Sequence, residues 1–266
     1  MTRTWFITGA AAGFGRLWTE AALERGDNVA ATARHPERLR DLQQRHDERL
    51  LTLDLDVTNR EQAFATVRET AKHFGSLDVV VNNAGYGQFG MLEELTEDEL
   101  RASLETNLFG AAWITQAALP IMRAQGSGHL LQVSSEGGVI AYPGLGAYHA
   151  AKWALEGLTQ SLVQEVAGFG IHVTLVEPGP FGTGWAAAGR RSETNPAYDA
   201  VRTAAHGSWG AVGDPAAVRN VLLALVDAPD PPLRLLLGSA PLRRVIVEYE
   251  SRLATWCAWE PVARAA

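Results

Sequence analysis

Residues 5–15, Trp5-Phe-Ile-Thr-Gly9-Ala-Ala-Ala-Gly13-Phe-Gly15, decide the fold. The run up to Thr8 has the length and apolar character of a buried strand. Gly9, Gly13 and Gly15 then mark a turn, and Arg16-Leu-Trp-Thr-Glu-Ala-Ala-Leu-Glu-Arg25 is rich in helix formers. Glycine lets the backbone turn tightly and come close to a ligand. The helix starting behind the turn offers free N–H groups to an anion such as a pyrophosphate. A glycine-rich turn alone is a weak signal, but its strand-turn-helix setting is the one such a site requires.

The alternation continues along the chain. Asp27–Ala33, Leu50–Asp54, Leu77–Asn82, His129–Ser134, Ile171–Val176 and Leu233–Gly238 read as further buried strands. Asn59–His73, Glu97–Met122 and Tyr148–Val166 read as helices between them. This rhythm predicts an α/β fold, a Rossmann-like, doubly wound parallel sheet of about seven strands with helices on both faces. Residues 1–266 are expected to form a single domain, since Asp227-Ala-Pro-Asp-Pro-Pro232 reads as a turn and not a linker. Ligands bind such sheets at the carboxyl ends of the strands. Those ends carry Gly9–Gly15, Asp56 and Val57, Asn82-Asn83-Ala84-Gly85, Ser134-Ser135 and Glu177-Pro178-Gly179.

The second strand runs out into Arg34-His-Pro-Glu, with no acid at Thr32, Ala33 or Arg34. An acidic residue there holds the ribose hydroxyls of NAD, whereas an arginine accommodates the 2′-phosphate of NADP. Arg34 therefore predicts NADP(H) in preference to NAD(H). Tyr148 and Lys152 lie four residues apart on a helix, so phenol and ammonium share one face. In isolation this is an ordinary exposed pair. Facing a cavity, a cation beside the phenol is expected to lower its pKa and make it a proton carrier for carbonyl chemistry.

Composition narrows the class. The 266 residues suffice for one enzyme-sized domain, and a 47% apolar fraction with net charge −7 is that of a globular protein. There is no basic stripe, which argues against nucleic acid as a partner. No apolar run is long enough to cross a bilayer. The chain enters its first strand almost at once, leaving no room for a signal peptide, and a single cysteine, Cys257, provides no disulfide framework. A cytoplasmic location is expected, with Cys257 a partly buried packing residue. No metal site is expected.

Taken together these motifs resemble the short-chain dehydrogenase/reductase family, in its compact type. Thr8, Gly9, Gly13, Phe14 and Gly15 match its cofactor signature, Asp56-Val57 its adenine-contacting pair, and Asn82-Asn83-Ala84-Gly85 its strand-stabilising motif. Asn107, Ser135, Tyr148 and Lys152 match its catalytic tetrad, with the usual spacing from Ser135 to Tyr148. Pro178, Gly179 and Thr183 resemble the segment that holds the nicotinamide amide. The likeness runs from about residue 3 to residue 183.

The resemblance implies a role for each residue. Tyr148 gives a proton to the carbonyl oxygen as hydride arrives, or takes one from an alcohol. Lys152 lowers its pKa and hydrogen-bonds the nicotinamide ribose, Ser135 donates to the substrate oxygen, and Asn107 holds a water behind Lys152. A homodimer or homotetramer is implied, as is a small-molecule carbonyl or alcohol substrate.

Residues 184–213, with Trp185, Arg190-Arg191, His206 and Trp209, are placed to act as a substrate lid. Trp185, Tyr142 and Leu145 are candidate substrate contacts and point to an apolar or bulky substrate. The sequence style is similar to hydroxysteroid- and retinol-dehydrogenase-like members. Glu136 stands where small residues are frequent, either as a solvated acid or as part of the pocket. His149 and Trp153 are expected to face neighbours or a partner subunit. Ala240–Ala266 reads as a helix with a Trp256/Trp259 pair, covering the sheet edge, lining the pocket mouth or meeting another subunit. The function expected is an NADP(H)-dependent oxidoreductase interconverting ketone or aldehyde and alcohol. The alternative is a catalytically silent dinucleotide-binding protein of the same fold. A related epimerase or dehydratase expects a longer chain.

Overall fold

Alternate residues of the first strand, β1 (Thr4–Thr8), serve opposite layers of the molecule. Trp5 and Ile7 pack into one apolar cluster and Phe6 into another. Side chains alternate in direction along a strand, so a strand buried on both faces is apolar throughout. A computed structural model describes residues 2–206 and 212–265. The remaining strands are β2 (Asn28–Ala33), β3 (Leu50–Asp54), β4 (Val79–Asn82), β5 (Gln88–Phe89), β6 (Gly128–Val133), β7 (Ile171–Pro178), β8 (Arg190–Arg191) and β9 (Arg234–Leu237). Seven of them form one parallel sheet in the order β3-β2-β1-β4-β6-β7-β9. The sequence predicts these seven; the two-residue strands β5 and β8, which pair with each other, are too short to leave a periodic signal.

Ten α-helices lie among the described residues: α1 (Gly13–Arg25), α2 (Arg40–His46), α3 (Arg60–Phe74), α4 (Glu97–Leu104), α5 (Gly110–Gln125), α6 (Gly146–Val166), α7 (Trp185–Ala188), α8 (Asp199–His206), α9 (Val221–Asp227) and α10 (Pro241–Ala263). Trp18 and Leu23 of α1 and Leu222 and Leu225 of α9 pack on one sheet face. Val67 of α3, Ile114 of α5 and Leu162 of α6 pack on the other. The expected helix over Glu97–Met122 is a longer rod interrupted by a π-helical turn, Glu105–Phe109, between α4 and α5. Such a turn inserts one residue and rotates the positions after it.

The strand order reverses direction at β1, with β2 on one side and β4 on the other. That reversal opens a crevice at the carboxyl ends of β1 and β4. Thr8 stitches the two ends together: its Oγ1 accepts the N–H groups of Asn83 and Ala84, each at 2.9 Å. Asn83 Nδ2 donates back to Thr8 O at 2.9 Å.

α10 departs from the core. Trp256 and Trp259 are 66% and 64% exposed, so neither packs over the sheet edge. Cys257 is exposed, not partly buried as expected, because α10 runs on past the surface it is rooted in. No helix among the described residues is long and apolar enough to cross a membrane.

Candidate active site

The glycine-rich turn is built for close backbone approach. Gly9 has φ +66°, a left-handed conformation costly for a residue with a Cβ. A Cβ on Gly15 would run into the Gly9 carbonyl oxygen and come within 2.6 Å of Asn83 Nδ2. The first turn of α1 has neither a side-chain cap nor an acidic residue, which leaves its N–H groups to a ligand. A cleft of 780 Å³ opens over this turn, lined also by Arg34, His35, Arg38, Asp56, Val57 and Asn83–Tyr86. Asp56 is pinned by Thr58, whose N–H and hydroxyl donate to its Oδ1 at 3.0 and 2.8 Å. Val57 is buried, and the missing side chain of Gly110 makes its space. Glycine cradle, open helix start and basic far end fit a dinucleotide.

A second cavity of 420 Å³ joins the cleft. Both are lined by Phe14, Asn83, Gly85, Thr183, Gly184 and Trp185. Tyr148 and Lys152 project from one face of α6 into the smaller cavity, as their spacing predicts. Lys152 Nζ donates to Val133 O at 2.8 Å and lies 5.8 Å from the centre of the Tyr148 ring. The expected lowering of the Tyr148 pKa by Lys152 is corrected here. Burial pushes the phenol up to about 12; a hydrogen bond with Ser135 opposes this and the charge of Glu136 adds to it. Burial also takes Lys152 down to about 8, against the pull of Glu156.

Ser135 reaches the same cavity from the end of β6. Its Oγ accepts the Gly137 N–H at 3.0 Å and lies 3.4 Å from Pro178 O. Asn107 is buried within the π-turn. Its Nδ2 donates to Tyr86 O and Ser103 O at 3.1 and 3.0 Å, and its Oδ1 accepts the Tyr86 N–H at 3.1 Å. Pro178, the last residue of β7, and Gly179 and Thr183 beyond it line the cavity wall.

Glu136 is buried and not a solvated acid. Both its oxygens accept from Arg244 Nη2 of α10, at 2.6 and 2.8 Å, and Tyr142 Oη approaches at 3.3 Å. His149 faces its neighbours, as expected, but also lines the cavity, from which the sequence reading excludes it. Its Nε2 accepts the Tyr142 N–H at 3.0 Å and its Nδ1 donates to Gly137 O at 2.8 Å, which fixes the neutral tautomer and braces the loop 137–142. Trp153, by contrast, is 38% exposed under the guanidinium of Arg252. Leu145 and Trp185 line the cavity as expected.

The segment after Thr183 is tied down. β8 pairs with β5, Arg190 stacks on Tyr86 at 4.5 Å, and Arg202 pairs with Glu94 at 2.6 Å. Trp209, an expected part of the lid, lies outside the described residues. Sequence reasoning missed Arg38 and Arg190 in the cofactor cleft, though Arg38 stands only four residues after Arg34. It also missed Arg244, whose partner is 108 residues away.

Comparisons with known proteins agree with this architecture. The family model "short chain dehydrogenase" matches residues 3–194. Oxidoreductase BOA17 of Botryotinia fuckeliana is 43% identical over 261 residues, covering 96% of this chain and 93% of its own. A crystal structure of a short-chain dehydrogenase from Streptomyces avermitilis is 40% identical and superposes with a TM-score of 0.94, covering 100% of this chain and 98% of that one. An alcohol dehydrogenase from the archaeon Thermococcus sibiricus, solved complexed with 5-hydroxy-NADP, is 26% identical with a TM-score of 0.76, over 91% of this chain and 98% of that one. With the crevice at β1 and β4, and Tyr148 and Lys152 beside it, these matches make the chain a member of the short-chain dehydrogenase/reductase family and an NAD(P)-dependent oxidoreductase.

Proposed function

We propose that the protein interconverts a ketone or aldehyde and its alcohol by hydride transfer, with NADP(H) preferred and reduction as its working direction. One observation carries this reading: Tyr148 and Ser135 line a cavity continuous with the cleft over the glycine-rich turn. A carbonyl compound in that cavity would meet the Tyr148 phenol and the Ser135 hydroxyl, beside the cleft whose glycine-rich turn would hold a dinucleotide.

The bound nicotinamide nucleotide supplies or accepts the hydride. The protein's own residues handle the oxygen and its proton. Ser135 turns its hydroxyl from Pro178 O, a weak partner at 3.4 Å, to the substrate oxygen, where negative charge grows. Tyr148 gives that oxygen its proton. A phenol held near 12 keeps its proton at neutral pH, the state an acid in a reduction needs. Lys152 holds a positive charge beside it and would hold the nicotinamide ribose. Asn107, fixed by the Tyr86 backbone, supports a water behind Lys152.

NADP(H) is favoured because Arg34 and Arg38 line the far end of the cleft, where no acid stands at Thr32, Ala33 or Arg34. The relative from Thermococcus sibiricus was solved complexed with 5-hydroxy-NADP, so a chain of this fold accommodates an NADP-type nucleotide. Residues 184–213 serve as the lid of a single catalytic domain. Trp185, Leu145 and Tyr142 favour an apolar or bulky substrate.

A single-turnover screen tests this. Purified protein is mixed with NADPH or NADH and a panel of apolar ketones and aldehydes. Oxidation of NADPH with formation of the matching alcohol is expected. Binding of both nucleotides without oxidation by any carbonyl would count against the reading and favour a silent dinucleotide-binding role.

A further inference from the structure

Behind Lys152 lies a buried group of acids that the proposed chemistry does not use. Glu156 follows Lys152 by one turn of α6 and is 6% exposed; Glu177 of β7 is 2% exposed. They share one guanidinium. Arg234 Nε of β9 lies 3.2 Å from Glu156 Oε2 and 3.5 Å from Glu177 Oε1, and its Nη2 donates to Gln160 Oε1 at 2.9 Å. The charged groups facing the pair are thus Arg234 from β9 and Lys152 from α6.

Glu156 Oε1, Glu177 Oε1 and Ser134 Oγ are buried without a well-formed hydrogen bond among the described residues, and the Ser134 hydroxyl is placed to donate to Glu156. Two of them meet at Gly138. A Cβ there would collide with Ser134 Oγ and lie 3.1 Å from Glu156 Oε1, so the absent side chain leaves the hydroxyl and the carboxylate facing one another. Ser134 carries one hydrogen, which serves one acceptor. Two ionised carboxylates hold none, and an unpaired buried oxygen is costly. A hydrogen held by the pair removes one of the two buried negative charges gathered round a single guanidinium.

We propose that Glu156 and Glu177 hold a single shared proton, with Glu177 as its resting place, and that the remaining charge on Glu156 keeps Lys152 an ammonium. Burial and repulsion by Glu156 favour a neutral Glu177, raising it to about 8, while Arg234 opposes this. Lys152 is buried against Val133 O, and the acid that favours its charged form is Glu156. Both glutamates are positioning residues: they act on the reaction through Lys152 and touch neither cofactor nor substrate. The link to catalysis rests on the proposed function; the proton-sharing pair does not.

The chain makes the test simple, because it has two lysines, Lys152 and the exposed Lys72. With side-chain ¹³C-labelled lysine, each is followed by NMR through a pH titration of the cofactor-free protein, and Lys72 is the internal reference. In Glu156→Gln the Lys152 midpoint should fall by about one unit, the size of effect one nearby charge exerts. In Glu177→Gln it should stay in place, since an amide replaces an acid already neutral. Infrared spectra at neutral pH should show a buried carboxylic-acid C=O band that Glu177→Gln removes. Equal shifts of Lys152 in both variants, no shift in Glu156→Gln, or absence of the acid band would overturn the proposal. If Glu156→Gln does not fold, the infrared comparison of wild type with Glu177→Gln decides alone. Neither measurement needs turnover, so failure here is separate from failure of the proposed reaction.

Discussion

Trp185 lays its indole against the phenol ring of Tyr148, with ring centroids 5.0 Å apart. The same indole meets Phe89 edge-on at 5.6 Å. The segment beyond Thr183 therefore already rests on the residue assigned as proton donor. A substrate bound beside Tyr148 has this indole as an apolar wall. Trp185→Ala should raise KM for apolar ketones about tenfold to a hundredfold, the worth of one large buried apolar contact. The nucleotide dissociation constant should change less than about threefold, within the scatter of such contacts. Steady-state kinetics beside a nucleotide titration checks this; an unchanged KM would remove Trp185 from the substrate wall.

Glu136 and Arg244 join the loop after Ser135 to the root of α10. Removing one partner leaves a largely buried charge unpaired. Arg244 is partly exposed, which softens the penalty, so Arg244→Met should destabilise by about 1–3 kcal/mol in urea unfolding. Adding Glu136→Gln should restore part of that loss. A double variant as weak as the sum of the singles would show that the pair does not couple.

Arg34 and Arg38 border the end of the cleft expected to hold the adenosine 2′-phosphate. Arg34→Ser should weaken NADPH binding about tenfold to a hundredfold, the worth of a charge-assisted hydrogen bond, and leave NADH binding nearly unchanged. Fluorescence titration with each nucleotide distinguishes this from a general loss. Equal weakening of both would place Arg34 on a part common to the two.

His129 carries a pH prediction for stability. It is buried, its Nε2 bonds Thr174 Oγ1 at 3.0 Å, and burial, with His172 and Arg3, lowers its pKa to about 3. In the unfolded chain it titrates near the usual 6.5. Between those values the unfolded chain binds a proton that the folded one refuses. Stability should therefore fall as pH falls from 6.5 towards 3, by up to about 1.4 kcal/mol per pH unit from this residue, and be indifferent to it above 6.5. Urea unfolding of wild type and His129→Gln at pH 7 and 5 (values spanning the upper half of that window) checks this: the variant should lose less stability on acidification.

The elements legible in the sequence were those whose signal is local. The strand at Trp5, the glycines after it and the spacing of Tyr148 and Lys152 each lie within one short window. The rest depended on distant contacts or on burial. Nothing near Glu136 names Arg244 as its partner. The period of Glu97–Met122 is helical throughout and conceals the π-turn that carries Asn107. The four-residue spacing places Lys152 beside Tyr148 but does not reveal that burial raises the phenol. Cys257 sits in an apolar stretch, and only the course of α10 past the core leaves it exposed.

The most direct test concerns the proton itself. Hydride transfer from NADPH to a carbonyl substrate is followed by stopped flow for wild type and Tyr148→Phe, with nucleotide affinity measured on the same samples. The phenyl ring keeps the packing against Trp185 and removes only the acid. The expected result is a rate lowered by at least about a thousandfold, within the range of a positioned acid, at nearly unchanged affinity. A Tyr148→Phe rate within about tenfold of wild type, below what general-acid catalysis contributes, would contradict the assignment of Tyr148 as the proton donor.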